Sequence, residues 1–320
     1  MTNRRQFLRN ASLLAAAGVC ANELSAASVS ATSGFQPRKS FGLQTYSLGR
    51  ELAPDVPEGL KKVAQMGYTS IEMAGYNAEG RIGAVPMAEF KKYADDAGLK
   101  IVSTHVNPPM PGYTKENFEK ATEFWKKAAD HHAEIGCKYL IQPGQPLTRS
   151  TEEVAYTGEA FNEFGKIAKA AGLIFGFHNH SGEFARVVPG GTEALPVRLG
   201  GDSFFFRQPE GAKMIYDGMI EATDPSLVVF ELDVYWCVMG MQDPVAYMKK
   251  YADRIRVLHI KDVNILGESG MMNFQKIFET AYGNGVTEYI VEFEPSFRGG
   301  TLFEGVKACA DYLLNASFVK

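Results

Sequence analysis

The stretch AGLIFGFHNH, residues 171–180, contains the kind of junction that decides the fold of this 320-residue chain. Gly172 ends an amphipathic segment, and a short run of apolar and aromatic residues typical of a buried strand follows at once. The same order of helix, glycine and strand recurs at Gly67, Gly98 and Gly136. Helices that alternate with buried strands predict a parallel sheet whose faces are covered by helices.

Eight strands of this kind are predicted, at residues 41–47, 70–76, 101–107, 139–143, 174–180, 228–236, 255–262 and 288–295. Amphipathic segments with a 3.6-residue period separate many of them, at 115–135, 153–171, 244–252, 273–282 and 302–315. The first strand-to-helix turn lacks a Gly-x-Gly-x-x-Gly pattern, which disfavours a dinucleotide-binding sheet. We therefore expect an α/β fold, a single (β/α)8 TIM barrel over residues 41–320, with a long loop at 181–211 after the fifth strand.

The composition excludes several classes of protein. With 45% hydrophobic and 22% charged residues the chain is globular, and its net charge of −4 disfavours a nucleic-acid partner. No apolar run reaches the roughly 20 residues of a membrane span. Apart from Cys20, the cysteines are few and odd in number, so we expect buried thiols and no disulfide framework.

Residues 1–31 resemble an export signal of the twin-arginine type. Arg4 and Arg5 precede a short apolar run at 11–19, and small residues follow it. An amphipathic first helix of the domain and a lipid-modified Cys20 are the alternatives. We expect an exported, periplasmic protein whose barrel follows a polar linker at 32–40.

Polar residues cluster where the predicted strands end. Four of the six histidines lie there, whereas His131 and His132 lie on a helix and are predicted to be surface residues. In a barrel, the carboxyl ends of the strands form the active-site face. Charged residues inside apolar strands are costly to bury unless they are paired or bind a metal. The strand-end histidines and strand carboxylates are His105, His178, His180, His259, Glu72, Glu231, Asp233, Glu292 and Glu294.

The two-residue repeat of a strand sorts these side chains into layers. One layer is predicted to hold the metal ligands His178, Asp233, His259 and Glu292, and the next layer His180, Tyr235, Lys261 and Glu294. Imidazole and carboxylate together suit one divalent ion, Mn²⁺, Co²⁺, Zn²⁺ or Fe²⁺, better than Ca²⁺.

Some of these assignments stay open. His180 and Glu183 rival His178 as the fourth ligand. His105 is alternatively a hydrogen-bonded pocket residue, and Glu72 and Glu231 are alternatively members of buried ion pairs.

Seven motifs in this order resemble the sugar phosphate isomerase/epimerase family, which has a xylose isomerase-like TIM barrel. The most specific are HNHxxEF, LDVYW and LHIKD, at 178–184, 232–236 and 258–262. The others are GLQTYS (42–47), GYTSIEMAGY (67–76), AGLKIVSTHV (97–106) and YIVEFEP (289–295).

The resemblance implies one divalent metal held by a Glu, an Asp, a His and a second Glu. Asp233, His259 and Glu292 match the last three, and His178 stands where the first Glu is expected. In related isomerases and epimerases the two glutamates also move the proton between them. In this chain an imidazole replaces one member of that pair.

We expect an isomerase or epimerase that removes a proton beside the carbonyl of a non-phosphorylated sugar or keto-sugar. His180 or Glu294 is predicted to carry the proton, and Lys261 to hold a substrate oxygen. The residues predicted to contact the sugar are Gln44, Tyr46, Glu72, His105, Gln142 and Glu183.

Other functions remain as alternatives. A lyase or dehydratase would eliminate an aglycone or water from a 3-keto-glycoside or keto-inositol. A carbohydrate-binding module would bind without catalysis, and an endonuclease IV-like enzyme would need more ligands and a basic surface. The sequence leaves the oligomeric state open, a homo-oligomer included.

Overall fold

A computed structural model describes residues 39–144, 148–191, 210–294 and 300–320. Eight parallel strands form a barrel and follow one another around it in chain order. The barrel is closed because the first strand pairs with both the second and the last. This confirms the predicted (β/α)8 barrel. The barrel strands β1 to β8 are Gly42–Gln44, Ser70–Met73, Lys100–His105, Tyr139–Gln142, Ile174–His178, Val228–Asp233, Ile255–Ile260 and Glu288–Val291.

Helices pack around the barrel, and each of the five helical segments predicted from the sequence is present within three residues of its expected bounds. The helices α1 to α10 are Gly49–Leu52, Val56–Gln65, Met87–Asp96, Phe118–Glu134, Thr151–Ala170, Ile215–Ala222, Val234–Met239, Pro244–Lys250, Phe274–Gly283 and Leu302–Asn315. None of the described helices is long and apolar enough to cross a membrane.

Strand β5 shows how the sequence separates the two faces of the barrel wall. Phe175 and Phe177 point outwards, where both pack against Phe161 of α5. Gly176 lies on the inner face, and a Cβ built there would come within 2.5 Å of Ile141, so a larger residue would not fit. The next inward position is His178, at the end of the strand. The wall is therefore apolar outside and changes from apolar to polar along its inner face.

An apolar floor fills the lower part of the barrel interior. Tyr139, Ile141, Val257 and Ile290 form a buried cluster there. The polar side chains of the strand ends lie above it. Cys137, Cys237 and Cys309 are buried, as the sequence predicts.

Short elements decorate the carboxyl face. A three-stranded antiparallel sheet, Tyr76–Asn77, Arg81–Ile82 and Val85–Pro86, follows β2 and was not expected. The predicted loop after β5 starts with a 3-10 turn, Ser181–Phe184, and Arg186–Val187 then pairs with Lys213–Met214. Residues 192–209 of this loop, the predicted export signal and the predicted linker up to residue 38 lie outside the described residues.

Two sequence-based placements are wrong. Tyr235 lies on α7 and not on a strand, because β6 ends at Asp233, whose carboxylate accepts a hydrogen bond from Trp236 N at 2.7 Å and caps the helix. His132 is fully buried, because its side of α4 faces Tyr76 and the core. The prediction that His132 lies on the surface is therefore wrong.

Candidate active site

The polar interior of the barrel has two levels. We use the term lower network for the buried side chains bonded around two carboxylates, namely Gln44, Glu72, Ser103, His105, His178 and Glu231. We use the term upper set for Asp233, His259 and Glu292, whose ligand atoms lie within 4.8 Å of one another. All members of both groups are buried, although His105 and Glu292 are slightly less so than the others.

Glu72 is the most heavily hydrogen-bonded residue of the lower network. Its Oε2 accepts from Gln44 Nε2 at 2.7 Å and lies 2.7 Å from His259 Nε2. Ser103 Oγ donates to its other oxygen. The parallel register explains these contacts, since Gln44 and Ser103 are the neighbours of Glu72 on the adjoining strands β1 and β3.

Glu231 holds two further imidazoles. Its Oε2 lies 3.0 Å from His105 Nε2 and 3.1 Å from His178 Nδ1. His105 also lies 3.1 Å from Glu72 Oε2, so it bridges the two carboxylates. Glu231 and His178 are register partners on β6 and β5. The ion-pair alternative for Glu72 and Glu231 and the hydrogen-bonded role of His105 therefore describe the lower network.

The upper set differs because its atoms are close together without hydrogen bonds between them. His259 Nδ1 lies 3.7 Å from Asp233 Oδ2 and 3.6 Å from Glu292 Oε2. Both distances exceed hydrogen-bonding range. Within the described parts of the chain, Asp233 Oδ2 and His259 Nδ1 are buried and have no hydrogen-bond partner.

These features fit a divalent cation. Two donors that each lie about 2.1 Å from one ion are about 3.0 to 3.6 Å apart, close to the distances in the upper set. Buried polar atoms without partners are rare in proteins and indicate an ion or water. The mixture of imidazole and carboxylate is the ligand type predicted from the sequence. His105, His178, Glu231 and His259 form a second group of convergent atoms, but these lie within or near hydrogen-bonding distance of one another.

Each of the two levels combines a carboxylate of lowered pKa with one of raised pKa. In the lower network, burial and the neighbouring Glu72 raise the pKa of Glu231. Burial raises the pKa of Glu72, but the neighbouring His105 and His259 together have a larger effect. The pKa therefore lies well below its ordinary value. Burial lowers the pKa of His105, whereas Glu72 and Glu231 raise it, to about 9. His105 is therefore held as an imidazolium beside Glu72, whereas burial keeps the pKa of His178 well below its ordinary value.

The carboxylates of the upper set have opposite shifts. Burial raises the pKa of Asp233 to about 7, despite the lowering effects of Lys261 and His259. For Glu292 the charges of His259 and Lys261 outweigh burial, and the pKa lies well below its ordinary value. A cation at this position would oppose the effect of burial on Asp233.

Lys261 lies at the mouth of the barrel beside the upper set. Its Nζ is 3.0 Å from Glu292 Oε2, and it also forms an ion pair with Glu294. Burial lowers the pKa of Lys261, but Glu292, Asp233 and Glu294 raise it overall, so the side chain stays charged. Its ammonium lies 5.6 Å from the ring centre of Trp236.

His180 is exposed above His178 and packs near Trp236, with ring centres 5.7 Å apart. Its backbone N–H donates to Glu183 Oε2 at 2.9 Å. Glu183 is buried and belongs to the 3-10 turn after β5. Tyr46 is exposed at the mouth. Gln142 is buried, and its Oε1 accepts from Tyr113 OH at 2.5 Å.

The structure therefore brings Asp233, His259 and Glu292 together, as predicted, and places His178 lower. His178 is level with Glu231, whereas Asp233 is level with His259. Its Nδ1 faces Glu231, so a ligand role of His178 stays a prediction and involves its other nitrogen, Nε2.

Sequence reasoning missed the residues that support the site. Asn179 bridges two strand ends, since its Oδ1 accepts from Asp233 N at 3.1 Å. Ser103 binds Glu72, and Tyr113 binds Gln142. Asn179 lies between two histidines at a strand end, and this position in the sequence indicates a residue of the site. Ser103 and Tyr113 had none, because hydroxyl groups in strands and loops are common.

Comparisons with known proteins agree with this architecture. Residues 60–308 match the model of the xylose isomerase-like TIM barrel family. The solved structure of a sugar phosphate isomerase/epimerase from Parabacteroides distasonis is 45% identical, with a TM-score of 0.82, and the match covers 92% of this chain and all of the other.

More distant relatives carry more specific names. An inosose dehydratase from Mesomycoplasma hyopneumoniae is 23% identical over 305 residues, which cover 83% of this chain and 89% of the relative. A 3-keto-D-glucoside 4-epimerase from E. coli is 14% identical, with a TM-score of 0.63, over 87% of this chain and 99% of its own. At that identity the E. coli structure shows a common fold alone.

Proposed function

The chain belongs to the xylose isomerase-like TIM barrel family, and from this premise we propose that it is a metal-dependent isomerase or epimerase of a non-phosphorylated sugar or keto-sugar. One observation carries the proposal. Asp233 Oδ2 and His259 Nδ1 are buried without hydrogen-bond partners in the described part of the chain, and they converge with Glu292 at the active-site face of the barrel.

Asp233, His259 and Glu292 would hold the metal, with His178 as the proposed fourth ligand. His178 Nδ1 is 3.1 Å from Glu231, so a proton on that nitrogen leaves Nε2 free to bind a metal. When bound, a divalent ion supplies positive charge that acidifies a C–H bond beside a carbonyl. Mn²⁺, Co²⁺, Zn²⁺ and Fe²⁺ all suit this donor set.

His180 and Glu294 are the proposed proton carriers. Both reach solvent at the mouth of the barrel, unlike the buried residues of the lower network. An imidazole titrates near neutral pH, which suits a group that takes a proton from carbon and returns it. Return of the proton to the other face of the same carbon gives an epimer, and its return to the neighbouring carbon gives an isomer.

Lys261 is proposed to hold a substrate oxygen. Its charge is already balanced by Glu292 and Glu294, which suits a neutral hydroxyl or carbonyl better than a phosphate dianion. We therefore favour an unphosphorylated substrate.

The predicted sugar contacts divide into two groups. Tyr46, Gln142 and Glu183 stay proposed contacts at or near the mouth. Gln44, Glu72 and His105 are bonded to one another and to His259 in the lower network, so we propose a supporting role for them.

The test is incubation of metal-loaded protein with free sugars and 3-keto-sugars in D2O. An isomerase or epimerase incorporates deuterium at the carbon beside the carbonyl and releases no group. Failure of every metal-loaded form to exchange this proton would reject the proposal and favour a carbohydrate-binding module.

Elimination is the second candidate, because His178 stands in place of one of the two family glutamates and makes the site asymmetric. An inosose dehydratase is among the relatives. A lyase or dehydratase would release an aglycone or water in the same incubation.

We also propose that the protein is exported, since residues 1–31 have the pattern of a twin-arginine signal. Replacement of both Arg4 and Arg5 by Lys is expected to retain the protein in the cytoplasm. Cell fractionation measures this directly. Wild-type protein found only in the cytoplasm would reject export, and unchanged periplasmic protein in the variant would reject the twin-arginine route.

A further inference from the structure

We propose that Glu72 is a positioning residue that fixes the orientation and tautomer of His259, so that the Nδ1 of this imidazole is free to bind the metal. The inference rests on the metal site of the proposed function but not on the reaction that the site catalyses. Glu72 itself belongs to the lower network and would not touch the ion or the substrate.

The two nitrogens of His259 have different surroundings. Nε2 lies 2.7 Å from Glu72 Oε2 and 3.4 Å from Glu231 Oε2, so Glu72 is its hydrogen-bond acceptor. Nδ1 has no hydrogen-bond partner in the described structure and faces Asp233 and Glu292. Metal binding releases a proton from the imidazole. Because Glu72 accepts from Nε2, the ring keeps the proton on Nε2, and the lone pair that faces the upper set is that of Nδ1.

Glu72 is well suited to orient a ligand because it is itself held rigidly. Gln44 donates to the same oxygen as His259, and Ser103 donates to the other oxygen. These neighbours are set by strand pairing and not by mobile loops. A carboxylate can accept all three hydrogen bonds, whereas a glutamine at this position has one acceptor oxygen and would turn an N–H group towards one of the donors.

The same arrangement is repeated at a second imidazole. Glu231 Oε2 lies 3.1 Å from His178 Nδ1, so a buried carboxylate contacts His178 just as one contacts His259 of the upper set. The ring centres of His178 and His259 are 4.5 Å apart. Carboxylates that fix the far nitrogen of a metal-binding histidine are a recurrent feature of metal sites.

The variant Glu72→Gln tests the proposal through metal affinity. We expect its dissociation constant for Zn²⁺, measured by competition with a chelating dye, to rise about 10- to 100-fold. Asp262→Asn is the matched control, since Asp262 is as buried as Glu72 but, among the described residues, accepts only from the backbone of Val263 and Gly267. Its Zn²⁺ affinity should stay within about twofold of wild type, whatever its melting temperature. Wild-type affinity in Glu72→Gln, or an equal loss in Asp262→Asn, would overturn the proposal.

A second measurement needs no variant and covers the case in which Glu72→Gln fails to fold. Two-bond ¹H–¹⁵N spectra of Zn²⁺-loaded wild-type protein report the tautomer of each histidine. We expect His259 to carry its proton on Nε2, and a proton on Nδ1 would refute the inference. Because both experiments measure binding, they can support the role of Glu72 even if the protein proves not to be an isomerase or epimerase.

Discussion

The lower network and the upper set are built from the same residue types, yet they satisfy their polar atoms differently. In the lower network every imidazole and carboxylate has a protein partner at 3.1 Å or less, and of the carboxylate oxygens only Glu231 Oε1 lacks a partner in the described residues. In the upper set the closest approaches to His259 Nδ1 are 3.6 and 3.7 Å, and two buried atoms have no partner in the described residues. Burial alone therefore does not distinguish a functional group from a structural one.

The difference has an energetic meaning. A buried charge with hydrogen-bonded partners contributes to the unique packing of the fold, whereas an unpartnered one costs stability unless a ligand offsets that cost. We therefore expect substitutions in the upper set to affect metal binding and turnover first. Substitutions in the lower network should affect the free energy of unfolding and its dependence on pH.

The largest expected effect is that of Asp233→Asn on metal binding. The amide keeps an oxygen to cap α7 but removes the negative charge, so we expect metal affinity to fall more than the roughly 100-fold typical of supporting residues. Metal per chain after gel filtration measures this. Asp243→Asn changes the same kind of helix cap at an exposed position and should leave metal content intact. Full metal content in Asp233→Asn would show that the upper set is not the ligand set.

Lys261→Met should lower turnover by about 10²- to 10³-fold, because a buried cation aimed at a substrate oxygen stabilises charge that develops in the reaction. Metal content should stay near that of wild type, since the ammonium cannot bind a cation. Lys250→Met is the control, because Lys250 pairs with Asp217 on the outside of the barrel. Unchanged kcat/KM in Lys261→Met would show that this residue takes no part in catalysis beside the upper set.

The pH dependence of stability tests the lower network. The pKa of His105 is raised from 6.5 to about 9, so its contribution is complete below pH 6.5 and is lost as the pH rises to about 9. A shift of this size corresponds to about 3 kcal/mol of unfolding free energy.

Chemical denaturation of metal-free protein at several pH values measures this contribution. His105→Gln should flatten the decline between pH 6.5 and 9, whereas His131→Gln, on α4, should leave it in place. Equal slopes for wild type and His105→Gln would mean that His105 is not held as an imidazolium.

The fold was predictable because buried strands repeat eight times along the chain and a glycine-ended helical segment precedes four of them. The residues at which the strands end were harder to predict. The apolar run 228–236 continues past Asp233, and only the capping of α7 by that carboxylate shows where the strand stops. A single sequence shows which side chains alternate along one strand, but it does not show the hydrogen bonds that pair this strand with its neighbours in the sheet.

The levels of the site were predicted only in part for the same reason. Asp233, His259 and Glu292 were grouped correctly, but His178 was placed beside Asp233. In the barrel the register pairs His178 with Glu231, one level lower. Irregularities in pairing at Ile71/Glu72 and Phe230/Glu231 shift the two carboxylates relative to neighbouring strands. Register and irregularities of this kind arise from the closed sheet as a whole.

Tyr46→Ala gives the smallest expected effect and tests how far substrate binding extends beyond the upper set, towards the mouth of the barrel. Tyr46 is 60% exposed at the mouth, so its removal should leave metal content unchanged and the free energy of unfolding within about 0.5 kcal/mol. If the ring packs on the sugar, KM should rise about 3- to 10-fold, the equivalent of about 0.5–1.5 kcal/mol for an aromatic contact, and Tyr46→Phe should restore it. Met241→Ala, at a residue that is 84% exposed, is the control for loss of exposed apolar surface. An unchanged KM in Tyr46→Ala would mean that Tyr46 does not contact the sugar. Substrate recognition would then depend on buried residues and Lys261, and the contrast between the two levels would describe the whole site.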